Sequence, residues 1–149
     1  MINKIKRKDF IFVSIQFVLL VIFFIPIISY VFKPFIFIKY AGVPISFLGF
    51  LIIIVAILQL NKNLTPFPTP KQNGELIRSG LYKYVRHPIY SGIFLASIGI
   101  AFYTGSYSQF VIAVALLILF YFKSKYEESM LIQKYIDYQE YIKMTRRFF

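Results

Sequence analysis

Four apolar stretches divide the chain, separated by basic, proline-bearing or glycine-bearing sequence. Phe10–Phe32 runs for 23 residues without a formal charge. As a helix it would measure about 34 Å, enough to cross a bilayer. Pro26 within it is a kink position. A secretory signal peptide is the competing reading, because basic residues precede the run. The run is long for a signal core, however, and no small-residue cleavage site follows it. Lys33 to Gly42 reads as a short external link, and Val43–Leu60 as a second span of about 27 Å. Pro88–Gly105 is the third span. Its Gly92, Ala96 and Gly99 recur at i, i+4 and i+7, a small-residue face suited to close helix packing. Gly92 also stands close enough to His87 to serve a ligand. A tight turn near Gly105 leads into Ser106–Phe122, the fourth and shortest span.

Two segments interrupt this pattern. Asn61–His87 contains Thr65-Pro66-Phe67-Pro68-Thr69-Pro70, whose prolines remove donors and hold their predecessors extended, so it is not regular helix. A loop of that length is generally functional or disordered. From Lys123 to about Lys143 a mixed-charge helical pattern places Leu131, Tyr135, Tyr138, Tyr141 and Ile142 on one face. Lys123 and Glu127 share that face, and Glu128 lies at its edge. The expected architecture is a single all-α integral membrane domain over residues 1–149. It has four transmembrane helices (10–32, 43–60, 88–105 and 106–122), a loop over 61–87, and a C-terminal amphipathic cytoplasmic helix over 123–143.

Composition supports the membrane assignment: 58% of residues are hydrophobic, 20% are aromatic, and mean hydropathy is +0.68. Zero cysteines exclude disulfides and thiolate chemistry, and a single histidine argues against a histidine-rich metal site. The net charge of +11 would suit nucleic acid, but its placement does not. Fifteen of the seventeen Lys and Arg fall in the N-terminus to Lys8, in Lys62–Arg86, or in the tail from Lys123. Lys33 and Lys39 alone lie between the first two apolar stretches. That asymmetry is the positive-inside pattern, which puts both termini in the cytoplasm. Anionic lipid headgroups account for the basic excess, with no nucleic-acid partner.

The chemistry concentrates around the histidine. Arg86 and His87 precede Pro88, a residue favoured in the first helical turn, so unpaired N–H groups and a positive dipole end would sit beside them. Such a place suits an anion. Tyr82, Tyr84 and Tyr90 are ordinary interfacial aromatics, or faces for a cationic ligand group. Lys123 and Glu127 are an i, i+4 ion pair in the weaker order, or walls of a cavity shared with His87. The chain topology brings both groups to one membrane face. No Gly-x-Gly-x-x-Gly, Walker loop or paired metal-binding carboxylates occur, and no acidic residue lies between Asp9 and Glu75. The last point argues against a proton-coupled four-helix exporter.

The pattern Ser79-Gly80-Leu81-Tyr82, Arg86-His87-Pro88-Ile89-Tyr90-Ser91-Gly92, then Glu127-Glu128, Leu131, Tyr138 and Tyr141, resembles the isoprenylcysteine carboxyl methyltransferase family. That family is related to the phospholipid N-methyltransferases. The resemblance covers roughly Thr65 to Arg147 and implies a membrane-embedded methyltransferase that uses S-adenosylmethionine without a Rossmann domain. It places cofactor contacts at Gly74, Glu75, Leu76 and Ile77, at Tyr82, at Arg86, His87, Pro88, Ile89 and Tyr90, and at Glu127. Lys123 stands where the family has a substrate-contacting arginine, keeping the charge without the planar fork. The acceptor implied is lipid-like or prenylated. A carboxylate acceptor would need only an anchor such as Lys123, whereas an amine would have to lose a proton, with Glu128 as the candidate base. Two readings stand beside this one. A membrane sterol reductase carries a similar His-Pro-x-Tyr-x-Gly element and uses NADPH. A small non-enzymatic membrane subunit would need no ligand at all.

Overall fold

The computed structural model describes residues 5–25 and 31–149. Among these the regular elements are five helices: α1 (Arg7–Phe23), α2 (Ile36–Leu60), α3 (Pro88–Thr104), α4 (Tyr107–Lys134) and α5 (Tyr138–Met144). Short 3₁₀ turns occupy Asn61–Asn63 and Gly80–Lys83, and no strand occurs among the described residues. Two helices, Ile36–Asn63 with its 3₁₀ extension and Tyr107–Lys134, are long and apolar enough to cross a membrane. α1 and α3 have 17 residues each, at the lower end of the length that spans a bilayer. Large apolar side chains such as Phe37, Phe47 and Leu58 point outward from α2.

The small-residue face of α3 finds a matching one. On α2, Gly42, Ser46 and Gly49 have the same spacing, and the two backbones meet along them. A Cβ on Gly49 would lie 2.7 Å from the Gly92 carbonyl oxygen and 2.9 Å from the Ala96 Cα. Ser46 Oγ donates to the Ala96 carbonyl at 3.1 Å. Gly92 is therefore committed to helix packing and not to a ligand, since its own Cβ would lie 2.7 Å from Ile53. Between α3, α4 and α1 lies an apolar core of Phe23, Ile112, Leu116 and Phe120.

Four expected boundaries move. The first helix ends at Phe23, not Phe32, because Ile25 precedes a proline and is disfavoured in helical conformation. The expected kink at Pro26 lies outside the described residues. The second helix begins at Ile36, so most of the expected external link is helical, with Pro44 inside it. The fourth helix continues unbroken past Phe122 to Lys134, because the change from apolar to charged side chains leaves the backbone ladder intact. The helix expected over 123–143 instead breaks at Tyr135–Asp137, and α5 turns back. The end of the third span agrees with expectation. Gly105 closes α3 in the left-handed conformation (φ +68°), its N–H bonded to the Ala101 carbonyl at 2.9 Å.

One end of the bundle collects the N-termini of α1 and α3, the C-terminus of α2 and the polar half of α4. The proline loop is pinned there. Thr69 Oγ1 donates to Asp9 Oδ2 at 2.6 Å, Asp9 is fully buried, and Phe67 packs edge-on against Phe10.

Candidate functional site

Helix α3 does start at Pro88, with His87 as the residue before it. The anion beside that helix start is supplied by the protein itself. Glu128, on α4, accepts from Arg86 Nε at 2.8 Å and from His87 Nε2 at 3.1 Å on one oxygen. Its other oxygen accepts from Arg147 Nη2 at 2.6 Å. That bond raises the Arg147 guanidinium above its ordinary value. Glu128, nominated from sequence as a base, is thus fully engaged as the anchor of three donors. Arg86 is similarly committed. Its Nη1 donates to the Ile142 carbonyl at 3.1 Å and to the Thr145 carbonyl, holding the end of α5.

Glu127, one residue earlier, is placed differently. Its Oε2 accepts from the Tyr90 hydroxyl at 2.9 Å and lies 3.8 Å from His87 Nδ1. The Tyr90 ring stacks on His87 (centroids 5.4 Å apart) and on Phe120 (4.7 Å). Lys123 approaches the same ring at 5.2 Å. It is buried, and its ammonium donates to Gln16 Oε1 at 2.6 Å and to the Pro66 carbonyl at 3.0 Å. Lys123 therefore ties α4 to α1 and to the proline loop, and the expected i, i+4 ion pair with Glu127 does not form.

These groups surround a hollow with two lobes. One, of about 100 Å³, is walled by the Gly74–Ile77 segment, the proline loop, Tyr135, Tyr138 and Tyr141. The other, of about 290 Å³, is walled by Gln16, Ile57, Pro66, Ile89, Tyr90 and Lys123, with Pro88 also on its wall. Tyr82, Arg86, His87 and Glu127 line both. Single small-molecule sites usually fall in the range of roughly 300–1,000 Å³, which the lobes approach only as one space. The structure thus gathers Gly74, Glu75, Leu76, Ile77, Tyr82, Arg86, His87, Pro88, Ile89, Tyr90, Lys123 and Glu127 around one hollow, and leaves Glu128 behind its wall.

The C-terminal residues complete the site, in a way that sequence reasoning missed. Val85 and Arg146 form a parallel bridge: Arg86 N–H donates to the Arg146 carbonyl at 2.8 Å and His87 N–H to the Arg147 carbonyl at 3.2 Å. Phe148 lies against the imidazole, ring centroids 6.2 Å apart. Tyr141 donates its hydroxyl to the Tyr82 carbonyl. Burial pushes the Tyr141 phenol up to about 12. Burial, with the Glu127 carboxylate second, raises Tyr82 further, so both are neutral donors at any physiological pH. Arg146-Arg147 reads in sequence as one more basic pair, and no local signal distinguishes it. Asp9, Gln16 and Thr69 were equally silent, because their roles depend on α1 folding back over the loop.

Gly74 fits a close-approach segment. A Cβ there would lie 3.0 Å from Asn63 Oδ1 and 3.2 Å from the Lys71 carbonyl, and its own carbonyl accepts from Tyr135 Oη at 2.6 Å. A ligand would find there aromatic faces, backbone polar groups and two carboxylates, Glu75 and Glu127. Compared with known families, the chain matches the model of the phospholipid methyltransferases over residues 37–137. No curated protein matches the chain.

Proposed function

The chain belongs to the phospholipid methyltransferase family, and from that premise we propose that it transfers a methyl group from S-adenosylmethionine to the head group of a lipid-like acceptor. The observation that carries this reading is that His87 and Glu127 wall both lobes of one hollow, so that two ligands would meet at them. The smaller lobe, at about 100 Å³ too small to enclose the whole donor, would take one end of it, the rest reaching the shared walls at His87 and Glu127. Glu127 offers its carboxylate to the donor's cationic groups, and the tyrosines offer π faces, each contact contributing about 0.5–2 kcal/mol. When bound, the donor supplies an electrophilic methyl group on a sulfonium. The protein's part is to hold the two reactants in line and exclude water.

The larger, more apolar lobe would take the acceptor. α1 rests on α4, and among the described residues no packed α1–α2 seam closes the bundle. Gln16 on one side and Ile57 and Leu60 on the other therefore flank a way in from the apolar surface. An acyl or prenyl chain entering there would reach Lys123 and then Glu127. The basic residues around this end of the bundle favour the cytoplasmic leaflet. Resemblance to the isoprenylcysteine carboxyl methyltransferases supports a lipid or prenylated acceptor of this kind. Purified protein incubated with methyl-labelled S-adenosylmethionine and a total lipid extract should yield a labelled lipid by mass spectrometry. Label confined to water-soluble products would contradict the reading.

A further inference from the structure

We propose that Nδ1 of His87 is the proton acceptor of this site when a lipid presents an amine there, as the family's acceptors do; the inference rests on the methyl-transfer reading above. The buried anchor fixes the tautomer. A carboxylate held by Arg86 and Arg147 can only accept, so the imidazole hydrogen facing Glu128 Oε1 at 3.1 Å sits on Nε2. In the neutral ring, Nδ1 then carries the lone pair. Nδ1 lies on the Glu127 side of the ring, 3.8 Å from Glu127 Oε2, too far for a hydrogen bond and near enough to stabilise positive charge on the ring, and both residues line the shared hollow. Tyr90 stacks on one face of the ring, and Phe148 leans on it from the tail. A histidine that served packing alone would have both nitrogens satisfied. This one has one nitrogen fixed from behind and the other on the side of Glu127.

Such a group is idle when the acceptor is a carboxylate, which already carries its lone pair. An ammonium does not. Its N–H bond must break, the proton adding to Nδ1 and the electron pair staying on nitrogen. That pair forms the bond to the methyl carbon as the methyl–sulfur pair stays on sulfur, and the imidazolium afterwards releases its proton to water. Glu128 is then a positioning residue, acting through His87. The charged and titratable groups facing the imidazole are Glu127, Glu128 and Lys123 from α4, Arg86 from the loop, Arg147 from the tail and Tyr90 from α3 itself.

The chain has one histidine, so its imidazole nitrogens can be read without assignment ambiguity. In ¹⁵N NMR of the full-length protein in detergent, the neutral ring should show a protonated Nε2 and a bare Nδ1, a preference that Glu128→Gln should weaken. In mixed micelles containing an ethanolamine phospholipid, His87→Gln keeps a donor toward Glu128 but loses the base. Its turnover near neutral pH should fall by about 100-fold or more, and recover as pH rises and solvent deprotonates the amine. Because His87 also walls the donor's lobe, S-adenosylmethionine affinity measured by calorimetry on the same variant should fall too, but by at least tenfold less than turnover does. A neutral ring protonated on Nδ1 would overturn the proposal. So would wild-type turnover in His87→Gln at neutral pH, or methylation of farnesylcysteine carboxylate with none of the amine lipid. Failure of the unaltered protein to bind S-adenosylmethionine would instead overturn the methyl-transfer reading, and with it the role proposed for His87.

Discussion

Glu128 and Arg147 meet at 2.6 Å behind the wall of the hollow, the one carboxylate holding a C-terminal arginine while its other oxygen holds Arg86 and His87. The contact joins the tail to the site, so the tail's stability and the site's geometry are one property. Removing a partner from a buried ion cluster leaves uncompensated charge, at a cost of about 3–5 kcal/mol. Glu128→Gln should therefore lower the unfolding temperature in detergent well below that of Arg147→Ala, whose more exposed guanidinium contributes about 1–2 kcal/mol. Equal shifts for the two variants would place the anchor elsewhere.

Lys123 should separate acceptor effects from donor effects. Lys123→Met preserves the stem but leaves Gln16 and the Pro66 carbonyl without their donor, a loss of about 1–3 kcal/mol. Because the amine lines only the larger lobe, KM for the lipid should rise while S-adenosylmethionine affinity stays near the unaltered value. Steady-state kinetics beside calorimetry would decide. A parallel loss of both affinities would mean the lobes are not separate.

The α2–α3 seam tolerates no side chain at Gly49. Gly49→Leu should abolish recovery of monodisperse protein from membranes, since its Cβ would stand 2.7 Å from the Gly92 carbonyl oxygen. Phe47→Ala, on the outward face of the same helix, should leave recovery unchanged. Size-exclusion profiles of the two variants test this directly.

Alkaline pH should loosen the C-terminal region. Burial raises Tyr82, Tyr138 and Tyr141 above the ordinary 10.0, Tyr141 to about 12. A phenol whose folded value is raised stabilises the fold fully below the unfolded value and loses that contribution as pH climbs through the folded one. Stability should hold up to about pH 10 and fall between pH 10 and 12, with phenolate absorbance appearing alongside. Replacing Tyr141 with Phe should remove part of this slope. A Tyr141→Phe variant whose stability falls with the same slope between pH 10 and 12 would show that hydroxyl to be solvated.

How much of this was legible in the sequence follows from the range of the forces involved. Helix α3 was readable at both ends because its signals are local, Pro88 at the first turn and Gly105 in the left-handed cap. The small-residue spacing at Gly92, Ala96 and Gly99 correctly announced a tight seam, and its partner face on α2 has the same spacing. The break at Tyr135–Asp137 carries no glycine or proline. It arises because Arg86 captures the carbonyls of Ile142 and Thr145 and Tyr141 reaches Tyr82, contacts formed only after folding. The residues named by motif lie together around one space, but nothing in the motif showed how the fold divides them. Glu127 and Glu128 are neighbours in sequence, yet a 100° turn of helix sends one into the hollow and the other onto three donors behind it. Arg147 and Phe148 gave no sign of facing His87, because an ordinary basic-aromatic terminus has many other uses.

Calorimetric titration of the purified protein with S-adenosylmethionine, beside Glu127→Gln and with NADPH as a control ligand, tests the central claim most directly. The account predicts saturable binding of S-adenosylmethionine, at least tenfold weaker in Glu127→Gln at an unchanged unfolding temperature, and none of NADPH. Equal affinity in the variant, or saturation by NADPH alone, would contradict it.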